Sequence, residues 1–314
     1  MNILFNPPGL DTMNISIPSI LFGLGGKCLL NWALVFLQRI HIWRSFVGVF
    51  SLSLAVADTA LTLAVTTIYV HADGHFLYMG LQLTTYHVCL LVQILGHIYR
   101  VLHWSVVALA GLDHAFLVSQ RLDLTAVQTT WIVYLFVAGL LWYLAVLYVF
   151  VLSDLSPVLD DVPHYQMHRC WMPHTSQIQD VLMVLVFFIL GYIVWHGGRQ
   201  TLRLSSSLNL KDQVINQSGI HSRIHFVLQV LHIFLNTWAL FLVFLAVLIL
   251  LPVGIPAYLG LNVAWLSFLN SLLIGVTLCV LHPAFELAQG LAAVPPDSFC
   301  EWKFKFSLAT DDTT

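Results

Sequence analysis

The chain contains few charged residues for its length. Lys, Arg, Asp and Glu together make up 9% of its 314 residues, whereas hydrophobic residues make up 59%. A water-soluble domain could not cover its surface with so few polar groups, so the composition excludes an ordinary soluble protein. The net charge of −3 and the lack of a long basic stripe argue against a nucleic-acid partner. We therefore expect a lipid bilayer to surround most of the chain.

The motifs of common enzyme and metal sites are also missing. The chain has no Gly-rich phosphate loop, no HExxH pair and no CxxC pair, and no paired catalytic acids lie in an apolar run. His164, His168 and His174 share one loop, but their irregular spacing is weak for zinc, and we interpret the loop as solvated. The sequence thus predicts neither an enzyme nor a resident metal or cofactor.

Long apolar runs are the dominant feature of the chain. They do not alternate between apolar and polar residues, so in lipid they must be helices that satisfy their own backbone hydrogen bonds. Seven runs reach the ~20 residues that a membrane crossing needs. They predict an all-α membrane protein with a seven-transmembrane helix bundle. The runs lie at about 14–38, 46–70, 85–118, 130–153, 178–200, 224–251 and 257–281.

The loops between the runs are too short to hold another domain. We divide the chain into an N-terminal segment 1–13, a helix bundle 14–282 and a tail 283–314. A short amphipathic stretch from Ala284 to Ala288 predicts an eighth helix along the membrane surface. Farther along the tail, Cys300 lies among aromatic and basic residues and is a candidate for palmitoylation, with an unmodified tail as the alternative.

Basic residues are distributed unequally between the two sets of loops. If the N-terminus is outside, Arg169 is the only cation in an outer loop, and the remaining loop cations face the cytoplasm. By the positive-inside rule, we predict a multi-pass membrane protein with its N-terminus on the non-cytoplasmic side. Asn14 begins a glycosylation sequon just before the first run, which agrees with this orientation.

Ionisable and polar residues within the runs should face the interior of the bundle, because lipid exposure would be costly. Asp58 is the only acid deep within a run, and Lys27, Arg100 and His103 are candidates for its counter-charge. Asp58 could either fix the register of the helices or take part in a conformational switch, and the sequence leaves both roles open. The predicted intramembrane polar cluster comprises Lys27, Asn31, Asp58, Arg100, His103, Asn270 and Ser271.

Several short motifs follow one another along the runs. The second run contains Leu54-Ala55-Val56-Ala57-Asp58, and Asp113-His114-Ala115 follows Cys89 by about two dozen residues in the third. Further matching positions are Asn31, Trp142, Phe234, Trp238 and Asn270-Ser271. Together these residues resemble the motifs of rhodopsin-like, class A G-protein coupled receptors.

The resemblance extends over the whole bundle. It implies an orphan receptor that binds an unknown extracellular ligand and couples to a heterotrimeric G protein. It also implies a disulfide between Cys89 and Cys170. The family position of an amine-binding Asp falls at Gly96, so a typical amine ligand is not expected. The activation switch of the family corresponds to Asp113, His114, Phe234 and Trp238.

Many members of this family hold a sodium ion beside the acid of the second helix. Here His103 and Ile274 replace two of the polar neighbours that such an ion would need. We therefore expect Asp58 to be neutralised from within the protein, by Arg100 or His103.

Three departures from the family pattern concern the activation machinery. His114 replaces the Arg of the third helix, Leu240 replaces the Pro of the sixth, and Ile274 to Leu278 replace the NPxxY motif. We therefore expect weak or unusual G-protein coupling. A non-signalling scaffold or decoy receptor is the main alternative. A transporter or channel is less expected, because the chain lacks internal repeats and paired broken helices.

The predicted orientation can be tested by glycosylation. Asn14→Gln should abolish glycosidase sensitivity, because the first sequon is predicted to face the lumen during synthesis. Asn216→Gln is the matched control, since its sequon lies in a loop predicted to be cytoplasmic. Gel mobility after glycosidase treatment is the measurement, and loss of glycosylation in the control alone would contradict the orientation.

Overall fold

The computed structural model describes residues 12–70, 77–78, 81–82, 84–119, 127–152, 169–175, 210–250, 254–281, 297–300 and 302. This part of the chain is mostly helical and contains six helices that are long and apolar enough to cross a membrane. The predicted fifth run at 178–200 and the predicted eighth helix lie outside the described residues. The first predicted domain, 1–13, is also largely outside them.

The helices follow most of the predicted runs, but the helix of the sixth run begins at Leu210 and not at about 224, so Asn216, which was predicted to lie in a loop, lies in this helix. In chain order the helices are α1 (Ile17–Leu37), α2 (Phe46–Val70), α3 (Thr85–Ser119), α4 (Val127–Leu147), α5 (Leu210–Leu250), α6 (Ala257–Gly260) and α7 (Val263–Leu281). A single π-helical turn, Tyr148–Leu152, continues α4. A short turn of 3-10 helix, Ile42–Arg44, joins α1 to α2.

The predicted seventh run is not one continuous helix, because it is divided between α6 and α7. Asn262 separates the two helices, and its Oδ1 accepts a hydrogen bond from the backbone N–H of Trp265 at 2.9 Å. An Asn at this position satisfies one of the free amides at the start of a helix. Because the residues on both sides of Asn262 are apolar, the hydropathy pattern of the sequence does not show this break.

Short strands cover one end of the bundle, which we call the outer end. Strand β1 (Thr12–Ser16) pairs antiparallel with β4 (Arg169–Pro173), and Ile15 lies opposite Cys170. A two-residue pair, β2 (Leu77–Tyr78) and β3 (Leu81–Gln82), follows α2. The opposite end, which carries the turn between α1 and α2, is the inner end. The strands were not predicted, since the apolar runs dominate the pattern there.

The start of α2 shows how the helices satisfy their backbone groups. The Ser45 hydroxyl accepts a hydrogen bond from the N–H of Gly48 at 3.1 Å and so caps the helix. A Cβ on Gly48 would lie 2.5 Å from the carbonyl oxygen of Ile42, so only glycine allows the preceding turn to pack here. Within α2, Thr59 and Thr62 donate their hydroxyls to carbonyls one turn earlier, so these two hydroxyls are satisfied within the helix.

One hydrophobic cluster lies between α1, α2, α3, α4 and α7, and a second lies between α5, α7 and the tail residues Phe299, Cys300 and Trp302. Trp142 on α4 stacks on Phe50 of α2, with ring centroids 6.0 Å apart, and donates its indole N–H to Ser53 at 3.1 Å. Large apolar side chains also point away from the bundle, as lipid-facing residues do. Leu240, at the position of the missing Pro, is 88% exposed, and α5 continues through it without a break.

Cys89 and Cys170 form the predicted disulfide, which is confirmed. It joins α3 to β4 across a Cα–Cα distance of 5.5 Å. The amide of Gln93, one turn farther along α3, donates to the Trp171 carbonyl at 2.7 Å and supports the same connection. The outer end of α3 is therefore tied to the strand pair that covers it.

Cys170→Ser should lower the stability of the bundle by about 2–5 kcal/mol, because the disulfide restricts the unfolded chain and fixes β4 on α3. Thermal unfolding in detergent and surface expression measure the effect. Cys279→Ser is a suitable control, since that thiol is free and lies in α7. Equal stability of the two variants would show that the disulfide contributes nothing.

Candidate functional site

The carboxylate of Asp58 is the centre of a fully buried polar cluster. Its Oδ1 lies 2.9 Å from Lys27 Nζ and accepts a hydrogen bond from the Tyr99 hydroxyl at 2.5 Å. Its Oδ2 accepts a hydrogen bond from the Asn31 amide at 2.6 Å. We call these four residues the Asp58 centre. Both carboxylate oxygens are engaged by donors, as a buried charge requires.

The other groups of the Asp58 centre are also satisfied. Lys27 Nζ donates to the carbonyl of Tyr258 at 2.9 Å and lies 4.0 Å from the centroid of the Tyr99 ring. Asn31 Oδ1 accepts the backbone N–H of Val263 at 2.9 Å. The centre thus connects α1, α2 and α3 to α6 and to the first residue of α7.

The expectation that Arg100 or His103 neutralises Asp58 is wrong, since Lys27 is the partner. Tyr99 faces Asp58, and Arg100, the next residue, is rotated by ~100° around α3. Its guanidinium instead donates to the carbonyl of His174 in the outer loop at 2.9 Å. His103 is fully buried and stacks on Trp265 of α7, with ring centroids 6.1 Å apart.

The spacing on α1 was the signal that could have identified the right cation. Lys27 and Asn31 are four residues apart, and such residues share one face of a helix. Since Asn31 was expected beside Asp58, its neighbour Lys27 had to be there too. Tyr99 gave no comparable signal, because an aromatic residue in an apolar run is ordinary.

Asn270 and Ser271 do not belong to the Asp58 centre, which corrects the prediction of a single cluster. Val263 is the α7 residue that contacts the centre, and Asn270 lies two helical turns beyond it, ~10 Å farther toward the inner end. There Asn270 Oδ1 lies 2.8 Å from Nε2 of His114. The neighbouring Ser271 donates its hydroxyl to Asp297 Oδ2 at 2.6 Å.

The carboxylate of Asp113 accepts hydrogen bonds from the neighbouring helices α2 and α4. Its Oδ1 accepts the Tyr134 hydroxyl of α4 at 2.8 Å, and its Oδ2 accepts the backbone N–H of Phe46 at 3.3 Å. Phe46 is the first residue of α2, where a negative charge is favoured by the exposed amides of the helix. Asp113 therefore fixes the inner end of α3 between α2 and α4.

The tail segment, residues 297–300 and 302, packs against the inner part of α5 and α7. Burial raises the pKa of the Asp297 carboxyl, whereas hydrogen bonds from Ser271 and from the Phe299 N–H, and the nearby His114, act in the opposite direction. Trp238, a predicted switch residue on α5, lies 5.3 Å from the Phe299 ring and 5.5 Å from that of Phe268. No sequence motif indicated these tail contacts.

The other predicted switch residue on α5, Phe234, also packs against α7. Its ring centroid lies 5.5 Å from that of Phe268. Phe268 therefore contacts both Phe234 and Trp238, the two aromatic residues spaced four apart. The switch positions of α5 form an aromatic contact with α7 in this structure.

Comparison with curated proteins reveals relatives that extend over most of the chain. The chain is 28% identical over 293 residues to human "Probable G-protein coupled receptor 160", covering 90% of this chain and 84% of the human protein. This chain is similar to that receptor. The mouse protein of the same name gives 28% identity over 293 residues, with 90% and 85% covered. The rat protein gives 27% over 311 residues, with 96% and 89% covered.

The likeness to G-protein coupled receptors that the motifs predicted is thereby confirmed. No family model matches the chain. No solved structure matches it either. The similarity to named receptors agrees with the membrane-spanning helices and with the Cys89–Cys170 disulfide.

Gly96 is the position at which amine receptors carry an Asp, and here α3 packs directly against another helix at this residue. A Cβ on Gly96 would lie 3.1 Å from the Cβ of Ala257, so α3 and α6 are in direct contact there. The outer loop also reaches the bundle, because a Cβ on Gly254 would collide with the His174 ring. An amine site at Gly96 therefore has neither the acid nor the space that it would need.

The two predicted modification sites differ in exposure. Asn14 lies on β1 and is exposed, and its glycosylation remains a prediction. Cys300 is only 4% exposed and is packed among residues of α5 and α7. Palmitoylation of Cys300 would require the tail segment to leave this position, so the packing speaks against a permanent lipid anchor there.

Lys27→Met should destabilise the bundle by about 3–5 kcal/mol, because it leaves the Asp58 carboxylate buried without its cation. Thermal unfolding in detergent is the measurement. Adding Asp58→Asn to Lys27→Met should restore much of the loss, since a neutral amide needs no counter-charge.

Arg100→Met provides the matched control, because it removes a cation from another span whose guanidinium donates to the backbone carbonyl of His174. Its effect should be clearly smaller than that of Lys27→Met. A wild-type protein that is strongly stabilised by sodium chloride over choline chloride would contradict neutralisation by Lys27.

Proposed function

We propose that the chain is an orphan G-protein coupled receptor of the plasma membrane that transmits an extracellular ligand signal to the cytoplasm. The observation that carries this proposal is the similarity to probable G-protein coupled receptor 160 over 90% of the chain. The six apolar helices of the described residues and the disulfide at the outer end are consistent with such a receptor.

The disulfide and the basic residues support an extracellular N-terminus. Disulfides persist on the oxidising side of a membrane, and Cys89–Cys170 lies at the end that also carries β1. Arg39 and Arg44 lie at the opposite end, in the turn between α1 and α2. The positive-inside rule assigns that end to the cytoplasm.

The ligand is proposed to bind at the outer end and not to be a typical amine. The closure between Gly96 and Ala257 removes the site at which an amine would be held. The Arg100 guanidinium donates to the carbonyl of His174, so it connects the third helix to the outer loop.

Coupling to a heterotrimeric G protein is proposed to be weak in the resting protein. His114 replaces an always-charged Arg and lies 2.8 Å from Asn270, so it connects α3 to α7. Asp113 is held by α2 and α4. Both residues are therefore engaged in contacts that hold the inner ends of the helices together.

A non-signalling scaffold or decoy receptor is the second candidate function. The observation that favours it is the tail segment, which packs on the same inner end where a G protein would bind. The two candidates differ in one measurable property, namely whether any change to the inner end produces signalling.

His114→Arg should raise basal coupling, because it restores the missing cation and removes the contact with Asn270. Loss of one hydrogen bond, about 1 kcal/mol, would shift the equilibrium between resting and active states about fivefold. Basal recruitment of each G-protein class, corrected for surface expression, is the measurement.

His114→Leu separates the two causes, since it removes the contact with Asn270 without adding a charge. An increase with Leu as well as Arg would assign the effect to the lost contact. Strong wild-type coupling that His114→Arg does not increase would overturn the proposal of weak resting coupling.

A further inference from the structure

The tail segment lies in a groove between α5 and α7 at the inner end of the bundle. Asp297 accepts the hydroxyl of Ser271 on α7 at 2.6 Å. Phe299 packs on Trp238 of α5, with ring centroids 5.3 Å apart. The segment therefore contacts both walls of the groove through different kinds of interaction.

Trp302 is also buried in the groove. Its indole is 8% exposed, and a Cβ on Gly275 would lie 3.3 Å from the ring and 3.5 Å from a methyl of Val230. Gly275 thus provides the space in which the ring packs between α7 and α5. Cys300, on the same segment, is buried in the same hydrophobic cluster.

The segment also closes a small polar cavity that leads to the contact between His114 and Asn270. Asp297, Ser298 and Phe299 form one wall of this cavity. The turn after α1, the start of α2 and the first half of α7 form the other walls. They contribute Gln38, His41, Ser45, Val47, Gly48, Ser267 and Asn270.

We propose that the tail segment is an intramolecular occupant of this groove that holds α5 against α7 and blocks a cytoplasmic partner from the inner end. The inference rests on the proposed function for the identity of that partner, a G protein. A separation of α5 from α7 has to break the contacts of Asp297 or those of Phe299 and Trp302. Binding of a partner in the groove has to displace the segment altogether.

The energetic consequence is a shift of population toward the closed arrangement. Contacts that exist only in the closed arrangement lower its free energy relative to any open one. The aromatic rings contribute most, because their burial removes large apolar surfaces from water. Removing one ring should therefore populate the open arrangement without removing any helix.

The occupancy of the groove can be measured through Cys300 in the full-length protein in membranes. Cys28→Ser and Cys279→Ser remove the other free thiols in the described residues. Reaction of the remaining thiol with a membrane-permeant maleimide should be slow. Trp302→Ala should accelerate it about tenfold or more, because local opening controls the reactivity of a buried thiol.

Trp43→Ala is the matched control, since Trp43 lies in the turn at the same inner end and is 48% exposed. It should leave the reaction rate of Cys300 unchanged. A wild-type thiol that reacts as fast as that of Trp302→Ala would overturn the inference, and it would do so without affecting the assignment as a receptor.

The blocking role is tested by basal recruitment of each G-protein class. Trp302→Ala and a chain that ends at residue 296 should both recruit several-fold more than wild type, and Trp43→Ala should not. Suppose that Cys300 reacts as expected and that His114→Arg recruits a G protein, but that the tail variants recruit no more than wild type. This result would overturn the blocking role alone. If no variant couples to any class, the blocking role and the proposed coupling both fail, and the occupancy of the groove is decided by the reaction rates of Cys300.

Discussion

The ion pair between Lys27 and Asp58 is the interaction on which the arrangement of the helices depends. Two charges buried 2.9 Å apart cannot be separated at low cost, because neither can recover its hydration inside the bundle. The pair therefore fixes the position of α1 against α2. Tyr99 and Asn31 extend the same constraint to α3 and α7, since each adds a short hydrogen bond to the carboxylate or its neighbours.

The position of α7 follows from that constraint. Val263 is the first residue of α7, so its N–H has no partner within the helix, and Asn31 supplies one. Because the start of α7 is fixed, the positions of Asn270 and Ser271, two helical turns farther toward the inner end, are fixed as well. There they meet His114 and Asp297, so the Asp58 centre and the inner-end contacts are joined by one rigid helix.

The arrangement of the helices explains two of the departures from the receptor motifs. His114 is short enough to remain buried beside Asn270, where an Arg would need room for a longer side chain and an additional partner. α5 is continuous through Leu240, and its residues share with α7 the hydrophobic cluster in which the tail segment packs. His114 therefore forms a contact between helices of the closed bundle, whereas the Leu240 side chain faces away from it.

The sequence by itself determined the membrane class, the six comparable helices and, through its motifs, the likeness to receptors and the Cys89–Cys170 disulfide. These follow from length, apolarity and motif residues, which are local properties of the chain. The partner of Asp58, the division between α6 and α7 and the docking of the tail segment were decided only by the tertiary structure. Each depends on the rotation and axial position of one helix against another, and an apolar run defines neither, because lipid accepts all of its faces equally.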